Sequence, residues 1–302
     1  MSASLIVLVP LLLLGLVTAL CFVGCYHDVT LPVTSFGDYE NTIINTPNLV
    51  AYWPLDDTSG TTALDLGPNH FNGAYTQGQS VPYNPVDESA AASGAVILNQ
   101  PGIVVGDQQN NKQSPCIFVD GGFVSVPFQA ALNPQPPFTI EAWVVPSWTA
   151  SDVANNPAYR VVVASGVSST FQGFALFASP QNYWAAIVGT GSQGVTATPP
   201  PGSNQTIAEN SLYFLVMTYD GTTLNLWVDP ADTSTTPYAQ AAASPFAPLP
   251  SPIPFYIGTG RPDLPTPLLP FNGYIQDVAF YNVVLDGHTI EDHYMNGLGM
   301  TM

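Results

Sequence analysis

From residue 49 onward the chain is cut into short apolar runs, each closed by Gly, Pro, Asn or Asp. Runs of that length suit strands and leave little room for long helices. The clearest unit is Tyr213-Phe-Leu-Val-Met-Thr-Tyr-Asp220-Gly221-Thr-Thr-Leu-Asn-Leu-Trp-Val228. Asp220-Gly221 supplies the positive φ angles of a tight turn. Leu224, Leu226 and Val228 alternate with Thr223, Asn225 and Trp227, so one face of that strand meets a core. The same reading predicts strands at 50–55, 95–98, 117–119, 123–127, 138–145, 160–164, 173–178, 183–188, 212–219, 223–228, 255–257 and 274–281. Glu141 interrupts an apolar run, which predicts a solvated face for its strand. Asp286 is placed to cap a final helix over 286–296, with Ile290 and Tyr294 on one face. Such a series predicts an all-β, two-sheet antiparallel sandwich.

Three stretches narrow the fold further. They are Leu49-Val-Ala-Tyr-Trp-Pro-Leu-Asp56 with Asp65-Leu-Gly-Pro-Asn-His-Phe-Asn-Gly-Ala-Tyr75, Phe138-Thr-Ile-Glu-Ala-Trp-Val-Val145, and Phe271-Asn-Gly-Tyr-Ile-Gln-Asp-Val-Ala-Phe-Tyr-Asn-Val-Val-Leu285. Together they resemble the two ends and the central strand of LamG-like domains, the concanavalin A-like lectin/glucanase jelly rolls, over roughly residues 47–298. The resemblance implies a jelly-roll fold. It implies no single function, because the family includes glycan binders, protein binders and structural modules.

Charge removes several classes. Lys112, Arg160 and Arg261 stand against 21 acidic residues, a formal net charge of −18. Nucleic acid needs clustered Lys and Arg, so we expect no nucleic-acid partner. Anionic lipid head groups are disfavoured likewise. The cysteines are Cys21, Cys25 and Cys116, without CxxC or zinc spacing. Cys116 opens an apolar run and reads as a buried thiol.

Leu5 to Tyr26 is 22 residues without a charge. As a helix it spans ~33 Å at ~1.5 Å per residue, the thickness of a bilayer core. A cleaved signal peptide, a lipoprotein signal ending at Cys25 and a retained transmembrane anchor compete. No basic n-region precedes the stretch, and we expect the anchor. The organisation predicted is a transmembrane helix or signal anchor over 1–28, a linker over 29–46 and a LamG-like jelly roll over 47–302. The resemblance implies a domain on the periplasmic or extracellular side. Residues 245–270 carry nine prolines, so most of that segment should lie outside central strands, as an extended contact surface.

Catalytic signals are absent from the sequence. A retaining glycosidase needs two carboxyl groups ~5 Å apart. Glu40, Glu88, Glu141, Glu209 and Glu291 are scattered, Asp56-Asp57 would point to opposite strand faces, and no Glu-x-Asp occurs. His288 and His293 are poorly spaced for two metal ligands on one helix face. We expect no enzyme. The resemblance does imply calcium near the sandwich edge, with Asp65, Asn69 and Asp277 as ligands and Gly67 lending a carbonyl. The alternative is that Asp65 and Asn69 shape a turn through side-chain bonds to backbone. Trp148, Tyr159, Phe171, Tyr183 and Trp184 fall near loops or strand ends, where aromatics either pack or stack on sugars. The functional expectation is a non-catalytic, membrane-anchored accessory subunit that contacts other protein subunits, as in an electron-transfer or photosynthetic complex. The alternative is a cell-surface or virion lectin or adhesin that binds carbohydrate or protein.

Overall fold

The computed structural model describes residues 39–300, apart from 87, 110–111, 134, 201, 204, 231–235, 250–251, 262–263, 265–267 and the side chains of 108, 109, 112 and 168. The expected anchor over 1–28 and the first part of the linker lie outside the described residues. Within them no helix is long and apolar enough to cross a membrane.

The strands in chain order are β1 Leu49–Trp53, β2 Thr62–Ala63, β3 Gly73–Thr76, β4 Ala95–Gln100, β5 Gln108–Gln109, β6 Lys112–Gln113, β7 Cys116–Asp120, β8 Phe123–Val126 and β9 Phe138–Pro146. They continue with β10 Arg160–Val167, β11 Gln172–Ala178, β12 Trp184–Gly189, β13 Gly194–Ala197, β14 Tyr213–Tyr219, β15 Thr223–Val228, β16 Ala239–Ala242, β17 Phe255–Ile257 and β18 Asn272–Tyr281. Three helices join them: α1 Tyr39–Asn45, α2 Ala150–Asn155 and α3 Gly287–Gly297.

Among the described residues these strands build two eight-stranded antiparallel sheets and a separate β5–β6 pair. The first runs β16-β15-β14-β9-β18-β7-β4, with β1 also paired to β18. The second runs β13-β12-β11-β10-β17-β8-β3-β2. β18 holds the first sheet together. One of its edges pairs with β9 throughout, and the other pairs first with β7 and then with β1. The pairing slips between Gln276 and Ala279, so Asp277 sits in a bulge at φ 54°.

Alternation places the core. Phe138, Ile140, Ala142 and Val144 of β9 face Phe174, Leu176 and Ala178 of β11 across the sandwich, and all are buried. Leu224 and Leu226 point inward as their spacing predicts, with Val228 packed behind them. The Asp220-Gly221 turn forms, with Gly221 at φ 100° and the Asp220 carboxylate accepting the amides of Thr222 and Thr223.

The first sheet is buried on its outer face too, and this corrects two expectations. Residues 39–45 of the expected linker form α1, whose Tyr39 and Ile43 are fully buried against that face. Glu141 is not solvated: it is 0% exposed beneath α1 and α3. α3 starts as foreseen, with Asp286 accepting the Thr289 amide at 2.8 Å. It lays Ile290 and Tyr294 on the sheet, with Tyr294 stacked 5.8 Å from Trp143. Within 245–270 the expected strand at 255–257 forms as β17, in the middle of the second sheet between β10 and β8. A third correction concerns the residues before it, expected as an extended contact surface. Phe246 packs 5.6 Å from Phe138 and 5.7 Å from Tyr219, and Asn133 clamps Leu249 by paired hydrogen bonds of 3.1 Å. The proline-rich segment is part of the core wall.

Candidate functional site

Asp65 organises the loop after β1. Its Oδ1 accepts the backbone amides of Tyr52 and Gly67, each at 2.7 Å, and its Oδ2 accepts that of Phe71 at 2.5 Å. Gly67 fits here for want of space: a Cβ would lie 2.8 Å from both Ala51 Cα and Asp65 Oδ1. Asn69 turns its Nδ2 to the Val50 carbonyl at 2.8 Å. Asp277 lies at the other end of Tyr52, whose phenol donates to Asp277 Oδ1 at 2.6 Å. The structure therefore does not bring Asp65, Asn69 and Asp277 together around one point. Calcium wants six to eight converging oxygens, whereas the Asp65 carboxylate is already ringed by N–H donors. Among the described residues no group of three or more His, Cys, Asp or Glu side chains is placed to hold a metal.

Asp277 belongs instead to a buried acidic seam. Gln276 accepts the amides of Ile103 and Val104 and donates to Asp107 Oδ2 at 2.8 Å. Among the described residues Asp107 Oδ1 and Asp277 Oδ2 lack a hydrogen-bond partner within bonding distance, and each residue is 1% exposed. Burial, opposed by the Gln276 hydrogen bond, pushes the Asp107 carboxyl up to about 7. Burial, then the neighbouring Asp107 charge, holds Asp277 well above the usual carboxylate range. Cys116 is buried as foreseen; burial lifts its thiol to about 12, an inert value.

Beside this seam Glu141 Oε2 meets His293 Nδ1 at 2.9 Å, and Glu141 Oε1 accepts the Tyr281 hydroxyl at 2.9 Å. His293 Nε2 lies 2.9 Å from Thr46 Oγ1, whose own proton goes to the Thr42 carbonyl. Nε2 must then be the donor to Thr46, and one further proton is shared between Nδ1 and Glu141. The carboxylate–imidazole–hydroxyl row looks like a nucleophile relay, but the hydroxyl proton faces away from the imidazole. What it does is fasten α1 and α3 to β9.

The outer face of the second sheet is built differently. No helix covers it. Odd-numbered residues of β11 and its flanks, Phe171, Gly173, Ala175, Phe177 and Ser179, alternate outward and line a groove of about 370 Å³. Ala185 and Ile187 of β12 join them, as do Gly194, Thr196 and Thr198 of β13 and its flank. Val161 and Ala164 of β10 both face outward because a bulge between them reverses the alternation. Arg261 and Leu269 close one side. From Phe171 to Phe177 the groove follows six residues, less than ~20 Å. Its floor is apolar (Val161, Ala164, Phe177, Ala185), Tyr159 stands edge-on to Phe177 at 5.6 Å, and Gln172, Gln181, Thr196 and Thr198 furnish the rim. No acidic side chain or histidine lines it among the described residues.

Backbone strain concentrates at this groove. Phe171 (φ 49°), Arg261 (φ 54°) and Leu269 (φ 62°) all adopt left-handed conformations. Each costs roughly 1–3 kcal/mol for a residue that is not Gly, Asn or Asp. Among the described residues six of that kind have positive φ, and these three line the groove.

Of the aromatic candidates read from sequence, Trp148 and Trp184 are buried packing residues, and Arg160 lies 4.8 Å over the Trp148 ring. Tyr159 and Phe171 do reach the groove. Gln172, Gln181, Thr196, Thr198 and Arg261 were missed, because the site is assembled across β10 to β13 and no single loop announces it. The odd-numbered outward register of 171–179 is the signal that sequence holds.

Residues 120–291 match the Concanavalin A-like lectin/glucanases superfamily. No curated protein sequence matches the chain. Among solved structures it resembles the binding domain of Paraclostridial Mosquitocidal Protein 1, with a TM-score of 0.52 and 14% identity over 82% of this chain and 52% of that one. A mutant of Trypanosoma rangeli sialidase displaying trans-sialidase activity gives a TM-score of 0.50 and 14% identity, over 87% of this chain and 38% of the sialidase. Domain 4 of an extracellular arabinanase from Geobacillus stearothermophilus, in complex with arabinotriose, gives 0.49 and 14%, over 82% of this chain and 98% of that domain. The chain thus spans about half of the mosquitocidal binding domain and little more than a third of the sialidase. At such identities the likeness is one of fold.

Proposed function

The chain belongs to the Concanavalin A-like lectin/glucanases superfamily, and from that premise we propose that it is a non-catalytic binding module that holds a neutral glycan in the groove of its second sheet. One observation carries the reading: an open groove with an apolar, aromatic floor and an amide and hydroxyl rim, free of carboxylates among its described lining residues. Sugars present apolar ring faces and hydroxyl edges, which match such a surface. Hydrolysis needs a carboxyl pair flanking the bond, and the described lining residues supply none. A net charge of −18 repels acidic glycans, so the preferred ligand is uncharged. The N-terminal apolar stretch serves, in this reading, as the tether that keeps the module at a membrane; intact mass of membrane-extracted protein beginning beyond residue 26 would refute that part.

The test is isothermal titration of the full-length protein with neutral and acidic oligosaccharides, alongside Ala175→Trp. Ala175 lines the groove floor, and tryptophan there fills it. Wild type should bind a neutral oligosaccharide and the variant should not. Equal binding by both would move the ligand elsewhere. If no saccharide binds while other subunits co-purify from mild detergent, the accessory-subunit reading replaces this one, with the same apolar floor receiving side chains of a partner.

A further inference from the structure

We propose that Phe171 is the specificity-determining contact of the groove, an aromatic platform held in a strained backbone conformation so that a neutral sugar ring can stack on it. The inference rests on the glycan reading above. Phe171 is 43% exposed at the groove mouth, beyond the buried stretch of β11. Its left-handed φ of 49° is a conformation that glycine or asparagine would adopt with less strain. Burying about half of a phenyl gains roughly what the strain costs. Packing thus leaves little net gain from an aromatic here, and a ligand supplies one.

The surroundings hold the conformation in place. The Phe171 carbonyl accepts the Gly191 amide at 2.8 Å. Gly189 passes so close that a Cβ on it would lie 2.1 Å from the Phe171 oxygen. Two glycines of the β12–β13 hairpin thus fit the backbone of 171 tightly, and the side chain is left projecting on the same face as Ala175 and Phe177. Phe171 stands just before β11 and Phe177 near its far end, separated by less than the ~20 Å that six fully extended residues span. An oligosaccharide along the groove would meet Phe171 at one end and Tyr159, set against the buried Phe177, at the other.

The test uses the full-length protein with Phe171→Ala, Phe171→Asn and Phe171→Trp, titrated with cellohexaose, xylohexaose and mannohexaose, and melted in parallel. Phe171→Ala and Phe171→Asn should bind the preferred hexasaccharide at least about tenfold more weakly, while Phe171→Trp keeps or improves affinity. Tm should be unchanged for Phe171→Ala, which keeps a Cβ and the strain, and raised by about 2–4 °C for Phe171→Asn, which tolerates the left-handed conformation. Binding by Phe171→Ala equal to wild type overturns the assignment and leaves the groove reading standing. A clear fall in Tm for Phe171→Asn makes the phenyl a packing residue and overturns it as well. Failure of wild type to bind any saccharide removes the groove reading and this inference together.

Discussion

Glu141 is buried among groups that make its charge tolerable. Tyr281 donates to one oxygen, and His293 shares a proton with the other. Removing one partner of such a pair leaves an uncompensated polar group in a dry interior. Glu141→Ala should cost about 3–5 kcal/mol in urea unfolding, and the double variant with His293→Ala should cost less than the two singles summed. Additive losses would mean the two side chains are not coupled. Asp65 makes the opposite case, a buried carboxylate satisfied wholly by backbone amides. Because N–H donors from Tyr52, Gly67 and Phe71 occupy its oxygens, chelation is expected to leave Tm unchanged. A fall in Tm with EDTA, reversed by calcium, would restore the ion inferred from the family resemblance.

At the scale of elements, the segment at 245–254 behaves as wall rather than as an appendage. Phe246 touches Phe138 and Tyr219 inside the sandwich. Phe246→Ala should therefore destabilise by about 3–5 kcal/mol in denaturant titration, as a core phenylalanine does, whereas a free docking arm would lose almost nothing. Most strands were legible in sequence because period-2 alternation and turn residues mark them, as at 213–228. β2, β3, β5, β6, β13 and β16 were missed: they are two to four residues long and mostly small or polar, as in Ala239-Gln-Ala-Ala242. Pattern also misread Glu141, since a lone charge in an apolar run signals solvent unless a distant helix covers it. That cover comes from Tyr39 and His293, more than a hundred residues away on either side, and no local window contains them. The groove was invisible for the same reason, although its odd-numbered register was present in residues 171–179.

The molecule as a whole carries an excess of acid, part of it buried. Burial holds Asp107 up to about 7 and Asp56 and Asp229 up to about 6. A carboxyl raised in the folded state binds its proton more tightly there than in the unfolded chain. Its contribution is full below the unfolded value of about 4 and is lost as pH rises through about 6 to 7. Exposed Asp152, Asp220 and Asp286 are lowered by hydrogen bonds from neighbouring Thr residues, opposed by slight burial that is the largest influence at Asp220, and their contribution is lost only in stronger acid. Tm should peak between about pH 4 and about pH 6 and decline towards pH 8, with self-repulsion of the −18 chain adding to the decline. Asp107→Asn should flatten that upper limb. A Tm that climbs from pH 5 to pH 8 would show these carboxyls to be ionised in the fold.

α1 and α3, the first and last described helices, both lie on the outer face of the first sheet, while the groove opens on the outer face of the second. The two outer faces are therefore unequal: one is sealed by helices and their aromatic side chains, and the other leaves apolar strand surface in the open. A substitution that enlarges a residue on the sealed face must displace a helix, whereas one on the groove face meets only solvent or a ligand, so the groove is where the sequence is free to change without cost to the fold.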